Sequence, residues 1–295
     1  MNKLIVEDLD FSYGDFKALK NISLEASNGI IALLGPNGAG KSTLMKILVT
    51  LLEKESGNIN FNGIDYENTE KIRSYIGYLP QKFEAYKNVT GKEFLNFIYD
   101  VKGLKINRKE HIGGIISLVN LEEFIDRKIN SYSGGVLRRL GIAQALVGDS
   151  KLIIIDEPTV GLDPQQRNQF RNILSKISID KIVIISTHIV EDIEFCSNNL
   201  FILNKGEIRY SGSSKNLIER YKKNIWTSIV AREEFDMINS RYEVLSFRNE
   251  DDKYVVKYIS NEGYDEEAIN NSATLEDAYI CCIAKGKKSI TGNRI

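Results

Sequence analysis

The chain has 295 residues, a hydrophobic content of 42% and a net charge of −1. That length suits one large or two smaller domains with a real core, and the even charge balance excludes a general basic footprint for nucleic acid. The longest apolar runs are about six residues against the roughly 20 a bilayer span needs, and the start, MNKLIVEDLDFSYG, carries early acids and no secretory pattern. Cys196, Cys281 and Cys282 show no metal-ligand spacing, so reduced thiols and a cytoplasmic chain are expected.

Short strands are predicted at residues 4–7, 22–25 and 30–34 from β-branched content and Gly/Asn punctuation. After the third comes Gly35-Pro36-Asn37-Gly38-Ala39-Gly40-Lys41-Ser42, which fits Gly-x4-Gly-Lys-[Ser/Thr]. Residues 43–52, starting at Thr43, read as a helix with Leu44, Ile47, Leu48 and Leu51 on one face. Strand, glycine loop and helix are the geometry a phosphate-binding loop requires. Its backbone N–H groups surround phosphate oxygens, and the helix N-terminus adds partial positive charge. Lys41 then reaches the β- and γ-phosphates, and the Ser42 hydroxyl ligates Mg²⁺.

Strands are expected at 59–61 and 76–79, followed by a mostly helical middle over 83–148. There Phe94, Phe97, Ile98 and Val101 recur at helical spacing and read as core packing. The α/β pattern returns with apolar runs at 152–155 and 182–185, the mark of strands covered on both faces. A helix over 165–177 lies between them, and strands at 200–203 and 207–210 follow. The first run ends in Asp156-Glu157. An acid at the C-terminal edge of a buried strand lies where doubly wound sheets bind ligands. Asp156 suits Mg²⁺ through its water shell, and Glu157, facing elsewhere by strand alternation, suits polarising an attacking water. Beyond about residue 213 the texture changes. A linker helix over 216–222 and a β-α-β-β-α module with strands at 226–230, 242–247 and 254–258 are expected, with a disordered tail at 286–295 that includes Lys287 and Lys288.

Over residues 1–220 these motifs, in their order, resemble the ATP-binding-cassette (ABC) family. Tyr13 in FSYGDFKAL matches the aromatic that stacks on adenine, and Gln81 in YLPQK matches the Q-loop glutamine. Ser133-Gly134-Gly135 matches the family signature, Gly161-Leu162-Asp163 the D-loop, and His188 in ISTHIVED the switch histidine. The resemblance implies an α/β P-loop NTPase core with N-terminal antiparallel strands and an inserted helical subdomain. A small α+β domain over 221–285 would follow. ATP and Mg²⁺ are the implied ligands, with Ser42, Gln81 and Asp156 at the metal. Glu157, His188, Lys41 and Gln81 would then serve hydrolysis. Stacking on Tyr13 makes no base-edge hydrogen bond, so weak ATP-over-GTP selectivity is expected.

The same resemblance implies a homodimer or heterodimer, in which Ser133, Gly134, Gly135 and Asp163 of one chain complete the ATP pocket of the other. A separate integral-membrane permease subunit would dock on the helical middle, at the cytoplasmic face of the membrane. Val136 stands where the family usually has glutamine. Ala273-Thr274-Leu275-Glu276-Asp277-Ala278-Tyr279 looks like the Pro-x-Leu-Glu-Asp-x-Phe ending of bacterial drug- and lipid-type exporter ATPases, departing at Ala273 and Tyr279. An amphipathic closing helix is the competing reading. The competing class is a non-transport ABC ATPase acting on ribosomes or DNA. The single cassette, the lack of long insertions and the neutral charge oppose it.

Overall fold

A computed structural model of the chain describes residues 1–194, 199–265, 267–270 and 273–284. The chain divides into two units, Met1–Ser211 and Gly212–Ile295.

In the first unit β1 (Lys3–Tyr13) and β2 (Phe16–Ser27) form a long antiparallel hairpin. β3 (Gly29–Leu34) then enters a second sheet and delivers the chain to α1 (Lys41–Leu48). β4 (Ser56–Phe61) and β5 (Ile64–Asp65) return to the first sheet, whose order is β2-β1-β4-β5. After α2 (Thr69–Tyr75) and β6 (Ile76–Leu79) come the helices α3 (Gly91–Val101), α4 (Arg108–Leu118) and α5 (Gly134–Leu146). β7 (Leu152–Asp156), α6 (Pro164–Ile177), β8 (Ile182–Thr187), α7 (Glu191–Glu194), β9 (Asn199–Asn204) and β10 (Glu207–Gly212) complete the second sheet. Its order is β10-β9-β3-β8-β7-β6. β3 pairs parallel with β8 and β9, and β7 with β6 and β8.

Every residue of β7 and β8 is buried, so both faces of this sheet are covered. One face packs with the first sheet around α1, whose Leu44, Met45, Ile47 and Leu48 join Leu4, Phe61, Leu33 and Ile154 in one core. Each such side chain contributes roughly 1.5–3 kcal/mol by burial. Parallel pairing brings the C-terminal ends of β3, β7 and β8 to one edge of the sheet. The phosphate loop, Asp156-Glu157 and the segment leading to His188 leave from that edge. α5 lies unusually close to β6: a Cβ on Gly77 would sit 2.0 Å from the Ala145 carbonyl oxygen, so only glycine permits the approach.

The helical stripe differs from expectation. Phe94 is buried, but Phe97 is 49% and Val101 68% exposed. α3 packs along a face carrying Phe94, Leu95 and Tyr99 instead, one residue around from the expected line. Four apolar residues at helical spacing mark an apolar face without saying whether the same chain covers it.

The second unit opens with α8 (Ser214–Tyr221) and continues through β11 (Ile225–Ala231), α9 (Phe235–Arg241), β12 (Glu243–Glu250), β13 (Lys253–Ile259), β14 (Ile269–Asn270) and α10 (Leu275–Ala284). Its antiparallel sheet runs β12-β13-β11-β14, and Val230, Ile238, Val256 and Tyr258 form its core. The expected linker helix is α8, and it packs against α10 with Leu217 and Tyr221 buried. The division therefore falls at 211/212 rather than 220/221. β14 was not expected, since two residues carry no alternation to read. The expected tail and Cys196 lie outside the described residues.

Candidate nucleotide-binding site

A cleft of about 420 Å³ opens at the sheet edge, lined by Tyr13, Phe16, Ala18, Asn37, Gly38, Ala39, Gly40, Lys41, Ser42, Thr43, Gln81 and Glu157. The loop's shape follows from its residues. Gly40 caps α1 with φ +107°, and a Cβ there would lie 2.8 Å from the Ala18 carbonyl oxygen. The first turn of α1 holds no acidic side chain, so its N-terminal dipole is left for an anion. Lys41 is buried and donates to the carbonyls of Gly35 (2.6 Å) and Pro36 (3.1 Å), which places its ammonium over the loop. Gly35 and Pro36 thus serve Lys41 and do not line the cleft. Burial lowers the Lys41 pKa, while the negative charges of Glu157 and Asp156 raise it in part.

Opposite the loop, Glu157 is held at four points. Its carboxylate accepts from Gln81 Nε2 at 3.2 Å and lies 3.1 Å from His188 Nδ1. Its N–H donates to Ser186 Oγ at 3.0 Å, and its carbonyl accepts from Arg138 Nη2 at 3.1 Å. Ser186 in turn donates its hydroxyl proton to Asp156 Oδ1. Glu157 has φ +46°, a left-handed conformation that costs a non-glycine residue about 1–2 kcal/mol. That turn carries its carboxylate off the strand line of Asp156 and into the cleft.

The remaining expected residues stand apart from the cleft lining. Ser133 caps α5, its Oγ accepting from the Val136 N–H at 3.4 Å, and Gly135 lies against the Gln166 side chain. A Cβ on Gly134 would meet nothing within 4 Å, so that face is open. Asp163 caps α6, accepting from the Gln166 N–H at 2.8 Å. Val136 is buried, so the departure from glutamine points into the protein. His111 accepts from the Gly148 N–H at 2.9 Å and belongs to the packing of α4.

Four residues of the site escaped the sequence reading, among them Ala18 on β2, whose small apolar side chain carries no signal. Phe16 pairs across the hairpin with Tyr13, and the aromatic spacing in FSYGDF was the available signal. Ser186 is the first polar residue after the apolar run of β8. Arg138 had no signal, because its reach depends on how α5 seats.

Among the described residues no group of three or more His, Cys, Asp and Glu could hold a metal. Ser42 in the cleft and Asp156 beside it suit Mg²⁺ of the kind that completes its shell with water and phosphate oxygens. The aromatic mouth, glycine loop, lysine and paired acids together fit a magnesium nucleoside triphosphate.

Comparison with known proteins agrees. Residues 19–160 match the family described as ABC transporter. The uncharacterized ABC transporter ATP-binding protein YxlF of Bacillus subtilis is 37% identical over 76% of this chain and 75% of its own length. The linearmycin resistance ATP-binding protein LnrL of the same organism is 35% identical over 74% and 71%. Among solved structures, the dimeric post-hydrolysis state of the ATP-binding cassette MJ0796 bound to ADP and Pi superposes with a TM-score of 0.63 at 25% identity, over 71% of this chain and 98% of that one. With the cassette fold, the glycine loop, Asp156-Glu157 and His188 at one sheet edge and relatives aligned over most of their length, this chain belongs to the ABC transporter ATP-binding proteins.

Proposed function

We propose that the chain hydrolyses ATP to ADP and phosphate to drive a separate membrane-spanning export subunit through closure of an ATPase dimer. The observation that carries the hydrolytic part is the Glu157 carboxylate, set at the cleft edge between Gln81 and His188.

Tyr13 and Phe16 offer ring faces to the base, while Lys41 and the loop N–H groups take the phosphates. Bound Mg²⁺, held by Ser42, Asp156 and Gln81, would neutralise charge developing on the phosphate oxygens. Glu157 accepts the proton of a water aligned with the γ-phosphorus, Gln81 orients that water, and His188 sits on the other carboxylate oxygen. Proton removal of this kind contributes about 10²–10⁴-fold.

Ser133 and Asp163 do not reach the cleft of their own chain. Their place in the reading is at the pocket of a second ATPase subunit, and the dimeric MJ0796 cassette supports that arrangement. Twofold symmetry lets one interface hold two such pockets.

Among the described residues no helix is long and apolar enough to cross a membrane, and in this reading the membrane-spanning part is a separate subunit. Its dock is the exposed apolar set Tyr86, Phe97 and Val101, in which Tyr86 and Phe97 meet edge-on at 6.1 Å. Tyr86 follows Gln81 by five residues, and that short segment is the route by which the dock would sense nucleotide state. Attachment there puts the chain at the cytoplasmic face of the membrane. The export direction rests on relatives such as the linearmycin resistance protein.

The TLED segment adds less than it first offers. Thr274 and Asp277 cap each other's backbone N–H groups at 2.9 and 3.1 Å, and Asp277 pairs with Lys257 at 2.8 Å. A helix start is sufficient reason for those residues.

Glu157→Gln tests the hydrolytic reading. It should bind ATP with little change, turn over at least about a hundredfold more slowly and accumulate as an ATP-bound dimer in gel filtration. Unchanged steady-state hydrolysis would refute Glu157 as the key acid. Co-purification with a membrane protein of roughly six spans, lost on Phe97→Asp, tests the docking surface.

A further inference from the structure

Arg138 lies in the second turn of α5, four residues beyond Gly134, and is not among the residues lining the cleft. Its guanidinium makes two hydrogen bonds, both to backbone carbonyls of functional segments. Nη1 donates to Pro80 at 3.1 Å, immediately before Gln81, and Nη2 donates to Glu157 at 3.1 Å. One planar fork thus joins α5, the start of the Q-loop and the end of β7.

The Glu157 contact falls where the backbone needs support. Glu157 is in the left-handed region at φ +46°, and its carboxylate direction depends on keeping that turn. The Ser186 hydroxyl holds the N–H side of the residue and Arg138 holds the carbonyl side. Burial lowers the Arg138 pKa, Asp156 and Glu157 oppose that in part, and the guanidinium stays charged at any working pH. α5 is itself seated tightly: Gly77 lies under the Ala145 carbonyl, and Gly141 lies against Leu79 and Phe83.

We infer that Arg138 is a positioning residue for hydrolysis, fixing the Glu157 backbone and the Pro80 carbonyl to α5 so that the carboxylate and Gln81 face the same water. This rests on the hydrolytic reading of Glu157. Since α5 begins at Ser133–Gly135, a displacement of that helix reaches the carboxylate through one side chain. The fork geometry matters as much as the charge. A lysine carries its three N–H donors on one nitrogen at the end of a flexible stem and lacks the rigid pair of separated nitrogens that spans the two carbonyls.

The test uses the full chain and measures ATP affinity with a fluorescent ATP analogue alongside steady-state hydrolysis. Arg138→Met should lower kcat at least tenfold while the Kd for the analogue stays within threefold. Arg138→Lys should recover part of kcat. In a Glu157→Gln background, Arg138→Met should lower the residual rate by a smaller factor than it lowers the wild-type rate, because the part that acts through the Glu157 carboxylate is already lost. A wild-type kcat in Arg138→Met overturns the proposal, as does an equal loss of affinity and kcat, the mark of a general structural role. Should Arg138→Met fail to fold, Arg138→Lys decides: a fivefold fall in kcat at unchanged Kd supports the proposal, and an unchanged kcat overturns it. A Glu157→Gln enzyme with wild-type hydrolysis defeats the reading of Glu157 itself. A slow Glu157→Gln beside a normal Arg138→Met defeats the Arg138 proposal alone.

Discussion

Ser186→Ala removes one hydroxyl from a fully buried position, and its cost can be worked from its two bonds. The hydroxyl donates to the Asp156 carboxylate and accepts from the Glu157 N–H. Losing a bond to a charged acceptor costs about 1.5–3 kcal/mol, and leaving the buried N–H unpaired costs about 1–3 kcal/mol. The two terms share one site and do not add fully, so a loss of about 3 kcal/mol is expected. For a unit of 211 residues that lowers the melting midpoint by about 6–12 °C. The assay should follow far-UV circular dichroism, because the single tryptophan, Trp226, lies in the second unit and does not report the first. The same change frees one side of the left-handed Glu157, so kcat should fall about tenfold with ATP affinity changed little. A stability loss below about 0.5 kcal/mol, the level of an ordinary surface substitution, would refute the reasoning.

His188→Ala should impair hydrolysis more than ATP binding, since His188 contacts the carboxylate and does not line the cleft; lost affinity with normal turnover in a paired binding and rate measurement would assign it to binding instead. Tyr13→Ala should weaken ATP about threefold to tenfold, from a stacking contribution of about 0.5–1.5 kcal/mol, and wild-type rates with ATP and GTP at saturation should stay within a hundredfold. His111 accepts a backbone N–H and so must be neutral, and burial, followed by Lys102 and Lys181, lowers its pKa from the ordinary 6.5. Its contribution to stability is therefore complete above pH 6.5 and is lost as the pH falls through the lowered folded-state pKa. Urea midpoints across that window should fall in the wild type and flatten in His111→Gln.

Most of the fold and the glycine-loop half of the cleft were legible because they are local. β3, the glycine loop and α1 are contiguous, and Asp156-Glu157 ends a run of four apolar residues. Such features read from spacing alone. The clamp on Glu157 was not legible, because Ser186 and Arg138 meet it only through the parallel register of β7 with β8 and the seating of α5. Phe97 and Val101 failed for a related reason. Periodicity reports that a face is apolar, and whether α3 covers it with its own chain is a tertiary fact.

Ser133 and Asp163 carry the argument furthest. Each spends a side-chain oxygen on a helix N-cap in its own chain, so a single protomer explains both without any ligand. What the caps do not explain is Gly134, where a methyl group would meet nothing within 4 Å. A glycine with room for a side chain, at the exposed start of a helix, suits a surface that another molecule approaches closely. Gly134→Ala therefore separates the two roles. It should leave the melting midpoint of the isolated chain nearly unchanged and leave ATP binding to the monomer intact. It should also reduce the ATP-bound dimer that Glu157→Gln accumulates, read by gel filtration of the double variant. A double variant that dimerises as fully as Glu157→Gln alone would remove Gly134 from the interface and leave α5 with only its cap.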